Sequence, residues 1–155
     1  MELKTTRYKV ADGIAVATLS RPKRRNAWTG RMHTEYRWIL QQADADRDVR
    51  VIVVTGDPDG QAFCAGADLG ALEGHSEKGR YDPGTAEDIA TPGFGVDERF
   101  DAAFAYHFGI GKPVIAAING PAAGIGLVLA AFADLRFAAK GVKFTAAHGR
   151  FNFPA

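Results

Sequence analysis

Apolar and polar positions alternate most regularly between residues 13 and 19. There Ile14, Val16 and Thr18 take turns with Ala15, Ala17 and Leu19, and that period of two predicts a strand. The polar run 20–26 (SRPKRRN) follows, and Pro22 within it breaks any regular element. Met32, Tyr36, Ile39, Leu40 and Ala43 then recur at the spacing of one helix face, with Thr29 placed to cap the helix start. Residues 49–55 (VRVIVVT) are β-branched and read as a buried strand, stopped by Gly56, Pro58 and Gly60. A short piece, 62–65, precedes Gly66, and Asp68 is placed to cap a further helical turn. From Gly74 to Asp97 the chain turns polar and rich in Gly and Pro, which predicts a long mobile loop of the kind that often covers an active site. Phe100, Ala103, Phe104, His107 and Phe108 restore a helical period. Residues 113–118 (PVIAAI) predict another buried strand and 119–126 (NGPAAGIG) a glycine-rich turn. An apolar helix ending near Asp134 and short strands over 135–138 and 142–145 complete the order. The succession β-α-β-loop-α-β-α-β belongs to the α/β class. No internal repeat or linker divides the sequence, so one domain over 1–155 is expected.

Composition narrows the functional classes. The chain has 155 residues, 46% of them hydrophobic, enough for one soluble core. Its 19 basic and 18 acidic residues leave a formal charge of +1, which gives no reason to expect nucleic acid or an anionic membrane as partner. Cys64 is the only cysteine, so an intrachain disulfide is impossible and a reducing, cytoplasmic setting is expected. The opening MELKTTRYKVADG lacks the apolar core of a secretion signal, and the longest apolar stretch, 127–133, is too short to span a bilayer. His33, His75 and His107 show no metal-ligand spacing, so neither a metal nor a tightly bound cofactor is expected.

Two segments share one design. Phe63-Cys64-Ala65-Gly66-Ala67-Asp68 leads through a glycine hinge into small residues that open a helix, and Asn119-Gly120 through Gly126 does the same. Backbone N–H groups at a helix start have no intrahelical partner, and the helix dipole favours negative charge there. Small side chains let a ligand approach that backbone closely. Two such turns facing each other supply two donors to one oxygen, whereas either alone reads first as a tight strand-to-helix connection. The second turn, Gly120-x-x-x-Gly124-x-Gly126, also fits the fingerprint with which short-chain dehydrogenases hold an NAD(P) pyrophosphate. Against that stand its position late in the chain and the missing Tyr-x-x-x-Lys pair, since no lysine lies four residues after Tyr8, Tyr36, Tyr81 or Tyr106. A dehydrogenase-like protein remains as an alternative.

Taken together, the two turns resemble the enoyl-CoA hydratase/isomerase (crotonase) superfamily. Residues 62–69 (AFCAGADL) are similar to its A-F-[CS]-A-G-A-D-[IL] segment. Residues 112–120 (KPVIAAING), with Ala123, Gly124 and Gly126, resemble K-P-[VT]-I-A-A-[IV]-N-G-x-A-x-G-G-G. Asp134 falls where that motif ends, and Arg21-Pro22 with Asn26-Ala27 resembles the early R-P-x-x-x-N-A signature. The resemblance implies a spiral of ββα turns in which the N–H groups of Ala67 and Ile125 cradle a thioester oxygen as an enolate forms. It implies that coenzyme A arrives as part of an acyl- or enoyl-CoA substrate, with Lys23, Arg24 and Arg25 as candidates for its phosphates. Ala27, Ala65, Gly66, Asp68, Leu69 and Gly124 would line the substrate surface.

The same alignment removes the usual acid–base pair. Hydration needs one proton taken from water and one delivered to carbon, which the family's hydratases accomplish with two glutamates. The first falls at Val128 and the second at His148. His148 and Glu73 are therefore the candidate acid–base groups, with Asp97, Glu98 and Asp101 as further carboxylates near the end of the loop. Taken singly, each of these reads first as a packing or solvated side chain. Cys64, with no basic neighbour in sequence, reads as packed rather than nucleophilic. Family members continue into C-terminal helices that complete the acyl pocket and build trimers or paired trimers. A truncated chain is thus expected at Ala155, and a homotrimer or hexamer for the full-length form. Two classes of function follow: an isomerase, hydrolase or atypical hydratase that stabilises a CoA-ester enolate, or an acyl-CoA binder without proton-transfer chemistry.

Overall fold

The computed structural model describes residues 1–70 and 104–146. The expectations for loop 74–97, for Glu73, His75, Asp97, Glu98, Asp101 and His148, and for the closing residues 151–155 lie outside the described residues. The chain opens with an antiparallel hairpin of β1 (Thr6–Ala11) and β2 (Ile14–Leu19). The two-residue loop between them is Asp12-Gly13, both at positive φ (53° and 78°), the backbone that matches the twist of the flanking strands. A 3-10 turn, Pro22–Arg24, leads to α1 (Gly30–Ala45), and β3 (Val51–Gly56) follows. The 3-10 turn Pro58–Gly60 follows β3, and beyond the 3-10 helix Ala105–Gly109 come β4 (Val114–Ile118), β5 (Ala122–Ala123) and α2 (Ile125–Phe132). Two short strands, β6 (Leu135–Ala138) and β7 (Phe144–Thr145), complete the described chain.

Strands β1-β2-β3-β4-β6 form one sheet, parallel from β2 onward. Its register aligns Ala15 with Ile52 and Val114, and Ala17 with Val54 and Ala116, so one face is a continuous apolar surface. Met32, Tyr36, Ile39, Leu40 and Ala43, the stripe predicted on α1, are buried in the same core. Burying each large side chain stabilises the fold by roughly 1.5–3 kcal/mol. Thr29 caps α1 as expected, its Oγ1 accepting from Met32 N at 3.1 Å. At the other end Lys112 Nζ donates to the carbonyls of Ala43 (2.6 Å) and Asp46, occupying acceptors the helix itself leaves open. The Glu35 carboxylate, fully buried on α1, accepts from Lys4 N, Thr5 N, the Thr5 and Thr6 hydroxyls and Arg31 Nε, which staples the N-terminal segment to the helix.

A second, smaller layer lies beside the first. Strand β5 pairs in parallel with β7, Cys64 bridges Ala122, and Trp28 bridges Ala67. Each of β2, β3, β4 and β6 therefore runs on into a short extended piece that pairs with the equivalent piece of a neighbouring turn. This is the α/β ββα spiral that the resemblance implies, and it is a repeat of backbone geometry in a sequence with none.

Several elements differ from expectation. β1 is unexpected, because its residues are mostly exposed and its pattern carries little apolar signal. The helix expected to run to Phe108 is, in its described part, a 3-10 helix of five residues entered through Phe104 at φ 64°, a left-handed residue no α-helix contains. The strand expected over 142–145 shrinks to Phe144–Thr145. The turn at 20–26 is also more regular than Pro22 suggests, since proline is at home in the first turn of a helix.

Candidate functional site

The two glycine turns lie side by side. Phe63 N and Cys64 N donate to Pro121 O (3.1 and 3.3 Å), and Ala123 N donates to Cys64 O at 3.0 Å. On the other flank Ala65 N donates to Arg25 O (3.1 Å), Trp28 N to Gly66 O (2.8 Å) and Asp68 N to Trp28 O (2.8 Å). Segment 63–68 is thus held between residues 25–28 and residues 121–123. Glycine is needed at the contacts: a Cβ on Gly66, itself at φ 102°, would lie 3.2 Å from Ala123 O. A Cβ on Gly126 would lie 2.4 Å from Cys64 O. Gly124 takes φ 47° and ψ −114° as it opens α2, a conformation that L-residues rarely adopt.

This arrangement leaves donors uncommitted. Both neighbours of the Ala67 N–H, Gly66 O and Asp68 N, bond to Trp28, and N–H groups alternate in direction along an extended strand. The Ala67 N–H therefore points away from Trp28, and among the described residues nothing accepts it. At α2, Val128 N is the first to reach back to Gly124 O (3.0 Å), so the N–H groups of Ile125, Gly126 and Leu127 have no acceptor among the described residues. Ala67, Ile125 and Val128 are partly exposed, as are Ala27, Asp68 and Gly124; Ala65 and Leu69 are exposed and Gly66 is buried.

The early turn carries a polar network that the sequence did not reveal. Asn26 is fully buried; its Nδ2 donates to Asp57 O (3.0 Å) and Ala62 O (2.8 Å), and its Oδ1 accepts from Arg21 N (3.1 Å). One amide side chain thereby joins the turns after β2 and β3. Arg21 Nη1 donates to Ala27 O at 2.6 Å and pairs with Asp68 Oδ2 at 3.0 Å, linking this turn to the one that carries Ala67. Lys23, Arg24 and Arg25 project from the same turn and are exposed.

Cys64, His33 and His107 are titratable side chains that the core buries near this region. Burial pushes the Cys64 thiol up to about 11, so the thiolate is scarce at neutral pH and the packed role expected for it is borne out. His33 and His107 sit in an aromatic cluster with Trp28, Tyr36, Phe104 and Tyr106. Burial lowers His33 to about 3, helped by the Arg37 and His107 charges, and lowers His107 to about 4. Both His107 nitrogens are engaged: Nδ1 lies 2.7 Å from the Phe104 carbonyl and so must donate, leaving Nε2 to accept from Tyr36 Oη at 2.9 Å. Neither ring is poised for proton transfer at neutral pH. Among the described residues no group of three or more His, Cys, Asp or Glu could hold a metal ion, and no described helix is long and apolar enough to cross a membrane.

A ββα spiral with two adjacent glycine turns and uncommitted backbone donors is a fold class with known relatives. The chain belongs to the enoyl-CoA hydratase/isomerase family, whose model matches residues 9–153, and its fold is that of the crotonase family. It is 41% identical over 135 residues to an enoyl-CoA hydratase of Alternaria alternata, covering 87% of this chain and 40% of that one. It is 33% identical over 143 residues to the 1,2-epoxyphenylacetyl-CoA isomerase of Escherichia coli K12, covering 92% of this chain and 50% of that one. A crystal structure of an enoyl-CoA hydratase/isomerase family protein from Hyphomonas neptunium superposes with a TM-score of 0.77 at 33% identity, over 98% of this chain and 53% of that one. The chain spans about half the length of the relatives it matches.

Proposed function

We propose that the protein binds an acyl- or enoyl-CoA thioester and stabilises its enolate through the backbone N–H groups of Ala67 and Ile125. The observation that carries this is the pair of N–H groups that find no acceptor among the described residues, on two backbones in direct contact through Cys64 and Ala123. When the C2 proton leaves, negative charge moves onto the thioester oxygen, and two preorganised donors stabilise it without reorganising. Each such donor contributes roughly 3–4 kcal/mol to the stabilisation of that charge. Ala27, Ala65, Gly66, Asp68, Leu69 and Gly124 would line the bound ester. Lys23, Arg24 and Arg25, exposed on the adjoining turn, suit the coenzyme A phosphates, where a cation gains from charge-assisted bonds.

An isomerase or lyase of the family's kind is the favoured activity. Val128 stands one turn into α2, where the resemblance puts a hydratase glutamate, so proton transfer falls to His148 or Glu73. Val128 equally favours a second reading, a family member that binds the thioester without turning it over. The full-length chain is proposed to act as a cytoplasmic homotrimer or hexamer.

Acetoacetyl-CoA tests the central claim, because its enolate has a near-ultraviolet band that its keto form lacks. Full-length protein is expected to bind it and raise the enolate fraction at a pH where the free ester is largely ketone. No binding, or binding with no gain of enolate, overturns the oxyanion hole. Crotonyl-CoA and longer enoyl-CoA esters then separate the two readings: turnover abolished by changing His148 or Glu73 supports the enzyme, and absence of turnover supports the binder.

A further inference from the structure

The Arg21–Asp68 pair joins two regions to which the proposed function gives different tasks. Arg21 sits at the start of the turn that carries Lys23, Arg24 and Arg25, and Asp68 directly follows Ala67. A single nitrogen, Arg21 Nη1, holds both Asp68 Oδ2 at 3.0 Å and Ala27 O at 2.6 Å. Both side chains are largely shielded, at 21% and 19% exposure, so solvent screens the pair only in part. Two further hydrogen bonds of Asp68 act on the same short piece of chain. Its N–H is fixed on Trp28 O at 2.8 Å, and its Oδ1 accepts from Gly70 N at 3.1 Å. With Gly66 O also fixed on Trp28, the peptide unit bearing the Ala67 N–H is anchored before and after. Gly66, at φ 102°, is the hinge that would otherwise let it turn.

We propose that Arg21 and Asp68 are positioning residues: their ion pair sets the orientation of the Ala67 N–H. This rests on the oxyanion-hole reading above. Neither side chain touches the reacting atoms in this scheme; each acts through the backbone of Ala67. A merely structural pair would influence folding and leave the hole's electrostatics alone. A positioning pair shifts the keto–enolate balance of a bound ester while leaving affinity for the nucleotide part nearly unchanged.

The experiment uses full-length protein and acetoacetyl-CoA, which loses its C2 proton to solvent as the bound enolate forms. The enolate band is titrated against pH for wild type, Arg21→Met, Arg21→Lys and Asp68→Asn. Binding of desulfo-CoA and the melting temperature are measured alongside. Asp68→Asn and Arg21→Met are expected to lower the enolisation constant of the bound ester about tenfold, since sub-ångström misplacement of a donor already costs much of its effect. Desulfo-CoA affinity should change less than about threefold, because phosphate contacts do not depend on the Ala67 N–H. Arg21→Lys, which keeps a cation within reach of Asp68, is expected to recover most of the loss. Folded variants that enolise the ester like wild type overturn the proposal, even if they melt earlier. So does a loss of enolate matched by an equal loss of desulfo-CoA binding. Wild-type protein that binds the ester without enolising it overturns the oxyanion hole itself, and the positioning role with it.

Discussion

Replacing Gly126 by alanine perturbs the contact between the two turns at its tightest point. A Cβ there would stand 2.4 Å from Cys64 O, 2.9 Å from Cys64 Cβ and 3.1 Å from the Cys64 carbonyl carbon. The oxygen cannot swing aside freely, because it accepts from Ala123 N at 3.0 Å within the layer that joins the turns. Reaching an ordinary contact near 3.4 Å requires α2 and segment 63–68 to part by about 1 Å. Overpacking of this kind costs about 1–3 kcal/mol. Alanine's better helix propensity returns up to about 1 kcal/mol, less so close to the helix start. The net loss should be about 1–2 kcal/mol, or a fall in melting temperature of roughly 2–8 °C for a chain of this size. The effect on the proposed site is larger, because that separation moves Ile125 N–H away from Ala67, and a 1 Å misplacement costs on the order of 100-fold. The assay is a thermal melt paired with the enolate titration of bound acetoacetyl-CoA. Gly111→Ala is the control: its Cβ would meet nothing nearer than Asp44 Oδ1 at 3.4 Å, and it should melt as wild type. Gly126→Ala protein with wild-type melting and wild-type enolisation would refute the tight apposition of the two turns.

Asn26→Ala should destabilise the protein by about 2–4 kcal/mol, because it strands two buried carbonyls and one N–H. It also places alanine at φ 54°, which asparagine tolerates better. An unchanged urea midpoint would show that Asn26 does not join the two turns. The buried histidines predict acid sensitivity. Their folded-state pKa values, about 3 for His33 and about 4 for His107, lie below the ordinary 6.5, so the unfolded chain takes up protons first as pH falls. Their contribution is complete above pH 6.5 and is lost as pH drops toward 4 and then 3, at up to about 1.4 kcal/mol per pH unit for each ring. Urea midpoints measured from pH 7 to pH 5 should decline. His107→Gln, which removes one titrating ring, should shallow the decline, and an identical slope in the variant contradicts the burial-driven shift.

What the sequence made legible follows from where the information resides. The stripe of α1, its Thr29 cap, and the buried strands around Val54 and Ala116 are written in side-chain chemistry, and side chains are what a sequence displays. Strand β1 carried a signal that pattern alone passed over, since Asp12-Gly13 between two extended runs is a hairpin turn even when the outer strand faces solvent. The spiral was legible only through resemblance, because the bridges Trp28–Ala67 and Cys64–Ala122 are made through backbones and not by their side chains. The same holds for the candidate site. A search for catalytic side chains stops at Val128 and at buried, neutral Cys64, whereas the groups left uncommitted are peptide N–H donors, visible in sequence only as the glycines that let two backbones meet. Least legible of all were the long-range polar ties. Arg21 and Asp68 stand 47 residues apart, each inside its own recognisable motif, and nothing in either motif says that they touch. Yet the pair ties the turn after β2 to the peptide beside Ala67, so a substitution at Arg21 should be felt at a backbone donor 46 residues away in sequence, in a motif that Arg21 does not belong to.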